Sequence, residues 1–291
     1  MRTSIPLRVT RLWAGAAVAV TGIALGVGLA AAPVALAQVQ QAEPATASTS
    51  ASASSSGTVW TLPTRDGVRT TVYWEAAPNA WATVLLFPGG AGGFGKLEQG
   101  RPSSNNFLVR TATTFRDQGL NVAIFGRANG QELTPQDRMG ADHLQDIRQV
   151  LQAVRAHSSV PVWLVGTSRG TTSVAAAASQ MPDAGLAGVV LTSSIVAPAE
   201  PGTLPSLDLA AIRVPVLLVQ HAKDACALCT PSAMPAVLAR FSQAPVKQLQ
   251  LVDGGANPSG GVCHALHWHG FIGMEGEAVQ RITQWMRQPQ P

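Results

Sequence analysis

Val162-Trp163-Leu164-Val165-Gly166-Thr167-Ser168-Arg169-Gly170, running on into Thr171-Thr172-Ser173-Val174-Ala175-Ala176-Ala177-Ala178, is the stretch from which the fold is read. Four apolar residues lead into a serine flanked by glycines, and an alanine-rich run follows, which together spell strand, sharp turn and helix. The pattern G-x-S-x-G is weak alone. At a strand-to-helix junction it becomes specific, because a tight turn strains its central residue and leaves no room for side chains two positions away. The expected result is an exposed Ser168 hydroxyl at a helix N-terminus, with the free N–H of Arg169 facing the same space.

The same alternation extends in both directions. Val68–Tyr73, Ala82–Phe87 and Asn121–Phe125 read as strands, with a helix over Phe107–Gln118. Leu144, Ile147, Val150, Leu151 and Val154 recur at helical spacing over Ala141–His157, and Pro161 closes that helix before the strand that begins at Val162. After the helix that follows Ser168, to about Met181, strands are expected at Ala187–Leu191, Val214–Gln220 and Lys247–Val252. Helices are expected at Pro235–Phe241 and Glu275–Met286. Strands alternating with helices imply right-handed crossovers and a mostly parallel sheet covered on both faces. The continuous apolar run Val216-Leu217-Leu218-Val219 fits a strand buried on both sides.

Composition bounds the rest. With 291 residues, 46% apolar and 12% charged, the chain is too long for a disulfide mini-protein and too apolar for a disordered one. Its net charge of +4 includes Arg2, Arg8 and Arg11; beyond them 17 basic residues face 16 acidic ones, so no nucleic-acid-binding face is expected. Those arginines, the uncharged run from Leu12 to Ala32 and Ala35-Leu36-Ala37 make residues 1–37 a signal peptide by pattern, with Gln38 as the mature start. A retained membrane anchor is the competing reading, since Leu12–Ala37 is long enough to span a bilayer. Residues 38–57, rich in Ala, Ser and Thr, read as a disordered linker, and residues 58–291 as one domain.

A serine hydroxyl needs a base, and the base needs an orienting carboxylate. In the chain order serine, acid, histidine, Asp224 follows the buried strand by a short turn, where an acid is expected; Asp253, also just past a strand, is the reserve. Of the six histidines, His264, His267 and His269 lie after the last strand and before the last helix. His269, beside Gly270-Phe271 and nearest that helix, is favoured as base, with His264 and His267 as alternatives. The loop Gly89-Gly90-Ala91-Gly92-Gly93-Phe94-Gly95-Lys96 mimics a phosphate-binding loop, but Leu97 stands where magnesium needs Ser or Thr. Its place after Ala82–Phe87 fits a second oxyanion donor instead, from the N–H of Gly90 or Ala91.

Phe87-Pro88-Gly89-Gly90, Asn106-Phe107-Leu108-Val109-Arg110, Pro161 to Thr171 and the ending His269-Gly270-Phe271 with Gly273 and Glu275 together resemble an exported bacterial branch of the α/β-hydrolase superfamily, related to dienelactone-hydrolase-like proteins. The resemblance runs from about Thr58 to Met286 and implies an α/β-hydrolase fold. It also implies a Ser168–Asp224–His269 triad, since in that branch the histidine of HGF or HGY is the base. Dienelactone hydrolases carry cysteine where Ser168 stands. The expected activity is that of an exported, periplasmic or secreted serine hydrolase acting on small acyl esters, with neither metal nor organic cofactor, no nucleic-acid partner and no stable membrane association after signal cleavage. A peptidase, amidase or acyltransferase shares this chemistry, and a binding protein on a hydrolase scaffold is the non-enzymatic alternative. The link from Thr192 to Arg213, about 20 residues, is too short for a large cap.

Three cysteines remain. Cys226 and Cys229 are spaced C-x-x-C, with Cys263-His264 further on, so a zinc site is a rival reading. In an oxidising compartment a disulfide between Cys226 and Cys263 is expected, tying the loop of Asp224 to that of His269. Pairing of Cys226 with Cys229 is the alternative.

Overall fold

The computed structural model describes residues 57–198 and 201–291. The expected signal peptide and nearly all of the linker lie outside those residues. Eight strands form the central sheet: β1 (Thr58–Arg65), β2 (Val68–Glu75), β3 (Ala82–Phe87), β4 (Leu120–Ala128), β5 (Val162–Thr167), β6 (Gly188–Thr192), β7 (Val216–His221) and β8 (Lys247–Val252). Their spatial order is β1-β2-β4-β3-β5-β6-β7-β8. The β1–β2 and β2–β4 pairs are antiparallel and all others parallel.

Among the described residues six helices cover the sheet: α1 (Phe107–Arg110), α2 (Ala112–Asp117), α3 (Ala141–His157), α4 (Gly170–Gln180), α5 (Met234–Ala239) and α6 (Glu275–Arg287). Alternate residues of the inner strands feed two cores. Leu85 and Phe87 of β3 pack with α3, α4 and α5, whereas Val84 and Leu86 pack with α1, α2 and α6. The inner strands are apolar at nearly every position because both faces are covered.

Two expectations fail against this architecture. The helix over Phe107–Gln118 is two pieces, broken at Thr111, whose hydroxyl donates to the Phe107 carbonyl at 2.7 Å and whose backbone leaves the helical region. An additional strand, β1, precedes Val68; Pro63 disguises it, and an edge position with a register irregularity is where a strand tolerates proline. Elsewhere element ends shift by one to three residues. In the described part of the link after β6, the only regular elements are two one-turn 3-10 helices, Leu204–Ser206 and Leu209–Ala211. Among the described residues no helix is long and apolar enough to cross a membrane.

Candidate active site

Ser168 stands between β5 and α4 with φ +52°, a backbone that non-glycine residues rarely adopt. The crowding that makes its neighbours glycine is explicit. A Cβ on Gly166 would lie 2.6 Å from the Gly170 carbonyl oxygen, and one on Gly170 would run into the carbonyl oxygen of Phe87 on the adjacent strand. The Ser168 N–H donates to Thr192 O at 2.9 Å, and Thr171 closes the turn onto the Ser168 carbonyl.

Asp224 follows β7 by a turn in which its N–H donates to His221 O, and its side chain is buried. Its Oδ1 accepts from the N–H of Cys226 at 3.0 Å. Its Oδ2 accepts from Gln220 Nε2 at 2.8 Å and faces His269 Nδ1 at 2.9 Å. His269, 5% exposed, sits in the single turn Trp268–Gly270, which Phe271 leaves at φ +58°. Ser193 Oγ donates to the His269 carbonyl at 2.8 Å, and Arg110 donates to the Gly270 carbonyl and, at 3.0 Å, to Glu275. Those bonds explain why the separated stretches around Arg110 and Glu275 accompany the histidine.

Ser168 and His269 open on one cleft of about 370 Å³, also lined by Gly90, Ala91, Asn106 and Arg127. No hydrogen bond joins Ser168 Oγ to His269 among the described residues. The backbone N–H groups of Gly90, Ala91 and Arg169 likewise find no backbone acceptor among them. The other candidates fall elsewhere. Asp253 is exposed and paired with Lys223 at 2.6 Å. His264 reaches the cleft, but its Nδ1 accepts from the Gly261 N–H at 3.1 Å and it has no carboxylate partner among the described residues. His267 Nδ1 is buried without a partner among the described residues.

Cys226 and Cys263 form a disulfide, and Cys229 is a buried free thiol. Sulfurs of Cys226 and Cys229 and a ring nitrogen of His269 lie within 4.8 Å of one another. As a zinc site this set fits poorly, because the Cys226 sulfur is committed to Cys263 and His269 Nδ1 to Asp224. Burial, helped by the charge of Asp224, pushes the Cys229 thiol well above its ordinary value, away from the thiolate a metal needs.

The sequence reading does not single out Gln220 or Ser193. A glutamine in an otherwise apolar, doubly covered strand is itself a signal, since a buried amide requires partners. Ser193 carries no comparable mark; only the approach of the histidine loop gives its hydroxyl an acceptor.

No family model and no curated protein matches the chain. Among solved structures, an α/β serine hydrolase homologue from Coxiella burnetii matches with TM-score 0.54 at 19% identity, over 77% of this chain and 96% of its own. A soluble variant of monoglyceride lipase from Saccharomyces cerevisiae matches with TM-score 0.58 at 11% identity, over 82% and 97%. Dienelactone hydrolase from Anabaena variabilis matches with TM-score 0.52 at 14% identity, over 80% and 98%. The chain has the α/β-hydrolase fold. The strand order, the strained serine after β5 and the acid after β7 are the parts of that fold on which the functional reading rests.

Proposed function

We propose that the protein is an exported serine hydrolase acting on carboxylic esters. The observation that carries this reading is that His269, held by the buried Asp224 at 2.9 Å, lines the same cleft as the strained Ser168. His269 takes the proton of Ser168 as the hydroxyl oxygen attacks the acyl carbonyl, and returns it to the leaving alcohol. Asp224 holds the imidazole in the tautomer with Nδ1 protonated and stabilises the imidazolium. The N–H of Arg169, with that of Gly90 or Ala91, receives the oxyanion. Water, activated by the same base, then releases the acid. Contacts between nucleophile and base are commonly loose without substrate and tighten in the Michaelis complex.

Export is supported by the basic, apolar and Ala-x-Ala segments of residues 1–37 and by the Cys226–Cys263 disulfide. On this reading residues 38–57 tether a single domain, residues 58–291. The test is fluorophosphonate labelling and short-chain p-nitrophenyl ester hydrolysis by the purified exported protein, beside Ser168→Ala and His269→Ala. Labelling and turnover should vanish in Ser168→Ala, and turnover should fall by at least about 10³-fold in His269→Ala. A folded, oxidised wild type that neither labels nor turns over ester would overturn the reading.

A further inference from the structure

Arg138, in the one-turn helix Asp137–Met139 between β4 and α3, is 1% exposed. A buried cation is costly unless an acid pairs with it, and no carboxylate lies within ion-pair distance among the described residues. The neighbouring Asp137 carboxylate accepts from the Thr134 N–H at 2.8 Å and makes no ion pair with Arg138 among the described residues. Arg138 instead donates through Nη1 and Nη2 to three neutral oxygens, while its buried Nε has no partner among the described residues. Nη1 donates to Ser173 Oγ at 3.0 Å; Nη2 donates to Gly90 O at 2.9 Å and Pro88 O at 3.3 Å. Burial and the charges of Arg169 and Arg127 lower its pKa to about 10, which leaves it a cation at neutral pH.

These acceptors sit on the two segments that carry the proposed oxyanion donors, α4 and the loop after β3. Ser173 is in the first turns of α4, five residues beyond Ser168. Its hydroxyl is 3.0 Å from His143 Nε2, and burial holds that imidazole neutral, so Ser173 can donate to it while accepting from Arg138. Pro88 and Gly90 are in the loop after β3. The Gly90 carbonyl shares its peptide unit with the N–H of Ala91, and in a trans peptide the two point in opposite directions. A cation bonded to that oxygen therefore stands behind the unit and polarises an N–H that has no backbone acceptor among the described residues and belongs to a residue lining the cleft. The unit carrying the Gly90 N–H is held too, its Gly89 oxygen accepting from Gly92 N–H at 3.0 Å.

We infer that Arg138 is a positioning residue for the oxyanion site: it clamps the Pro88–Gly90 loop to α4 and places a full positive charge behind the Ala91 N–H, one of the loop's two candidate donors. The inference rests on the serine-hydrolase reading. An uncharged brace could fix the loop without strengthening the donor, so the charge is the part to test. Its signature is a loss that grows as charge develops on the substrate oxygen, with little effect on ground-state binding.

The experiment compares the exported wild type with Arg138→Lys, Arg138→Gln and Arg138→Met. Active sites are counted by fluorophosphonate titration, kcat and KM are measured with p-nitrophenyl butyrate, and Ki is measured for an aryl trifluoromethyl ketone, which binds serine as an anionic hemiketal. Expected is a fall in kcat per titrated site of roughly 10- to 100-fold in Arg138→Met and Arg138→Gln, below the full loss of a direct donor, with KM within about 3-fold. Arg138→Lys should retain part of the rate, and Ki should worsen in step with kcat/KM across the series. Wild-type kcat per site, a loss confined to KM, or a loss explained by the fraction of folded protein alone would overturn the inference. If Arg138→Met and Arg138→Gln do not accumulate folded, Arg138→Lys decides on the same readouts: kcat and ketone affinity kept wholly or in part, and moving in step, support it, and a fall in kcat without a matching fall in ketone affinity overturns it. An inactive, unlabelled wild type would instead overturn the hydrolase reading, and this inference with it.

Discussion

Cys226 holds Asp224 and the disulfide at once: its N–H donates to Asp224 Oδ1 at 3.0 Å, and its sulfur is bonded to Cys263. The bridge closes a 37-residue separation that includes β8, so chain entropy alone assigns it roughly 3–4 kcal/mol. Reduction, or Cys263→Ser, should lower stability by about that amount and reduce ester turnover, because the loops carrying Asp224 and His269 lose their link. Urea melts and kinetics with and without a dithiol reductant check this; unchanged midpoint and rate would refute it.

Cys229 should be inert in the native protein. Its thiol is buried, and burial raises its pKa, so little thiolate forms at mildly alkaline pH. Iodoacetamide should label it in urea and not in buffer, as read by mass spectrometry. Native labelling at the rate of a free peptide thiol would contradict the packing.

Gly170→Ala should not give an active enzyme. Its added Cβ would meet the Phe87 carbonyl, and backbone on both sides leaves neither partner free to yield. Overpacking of this kind costs about 1–3 kcal/mol or more, and here it also displaces the Ser168 turn. Thermal melting and fluorophosphonate labelling together test it; a stable variant labelled at the wild-type rate would be the failing outcome.

Gln220→Leu removes one of the two groups that donate to Asp224 Oδ2, and a donor to Cys229 O at 3.0 Å. Hydrogen bonds to a buried charge are worth about 1.5–3 kcal/mol, so a stability loss of that order and a several-fold lower kcat are expected. Equilibrium unfolding and kinetics at neutral pH measure both.

Acid should destabilise the fold through His143. Burial first, and the charge of Arg138 second, lower its pKa from 6.5 to about 4, with Asp146 and Asp137 opposing. Between those values the unfolded chain binds a proton that the folded one does not, so stability falls as pH drops through the window, by roughly 3 kcal/mol in full. His143→Gln should shrink the difference between urea melts at neutral pH and near the lower end of that window. An unchanged difference would locate the acid sensitivity elsewhere.

The inner strands and the serine turn were legible because their constraints are local. A doubly covered strand must be apolar at successive positions, as Val216–Val219 are, and a strained turn between strand and helix must carry glycines, as at Gly166 and Gly170. β1 was hidden by Pro63, and the break at Thr111 is a change of backbone at one residue that helical periodicity does not register.

Sequence by itself determined the alternation of strands and helices from β2 onward, apart from the break at Thr111, the strained position of Ser168 and the few acids and histidines that chain order allows near it. These follow from spacing and from backbone sterics within a few residues. Tertiary structure decided which histidine meets which acid, which cysteine pairs with Cys226, and where Gln220, Ser193 and Arg138 send their hydrogen bonds. Those outcomes depend on loops brought together from separate strand ends, and a buried polar group takes its partner from whatever the packing places within reach.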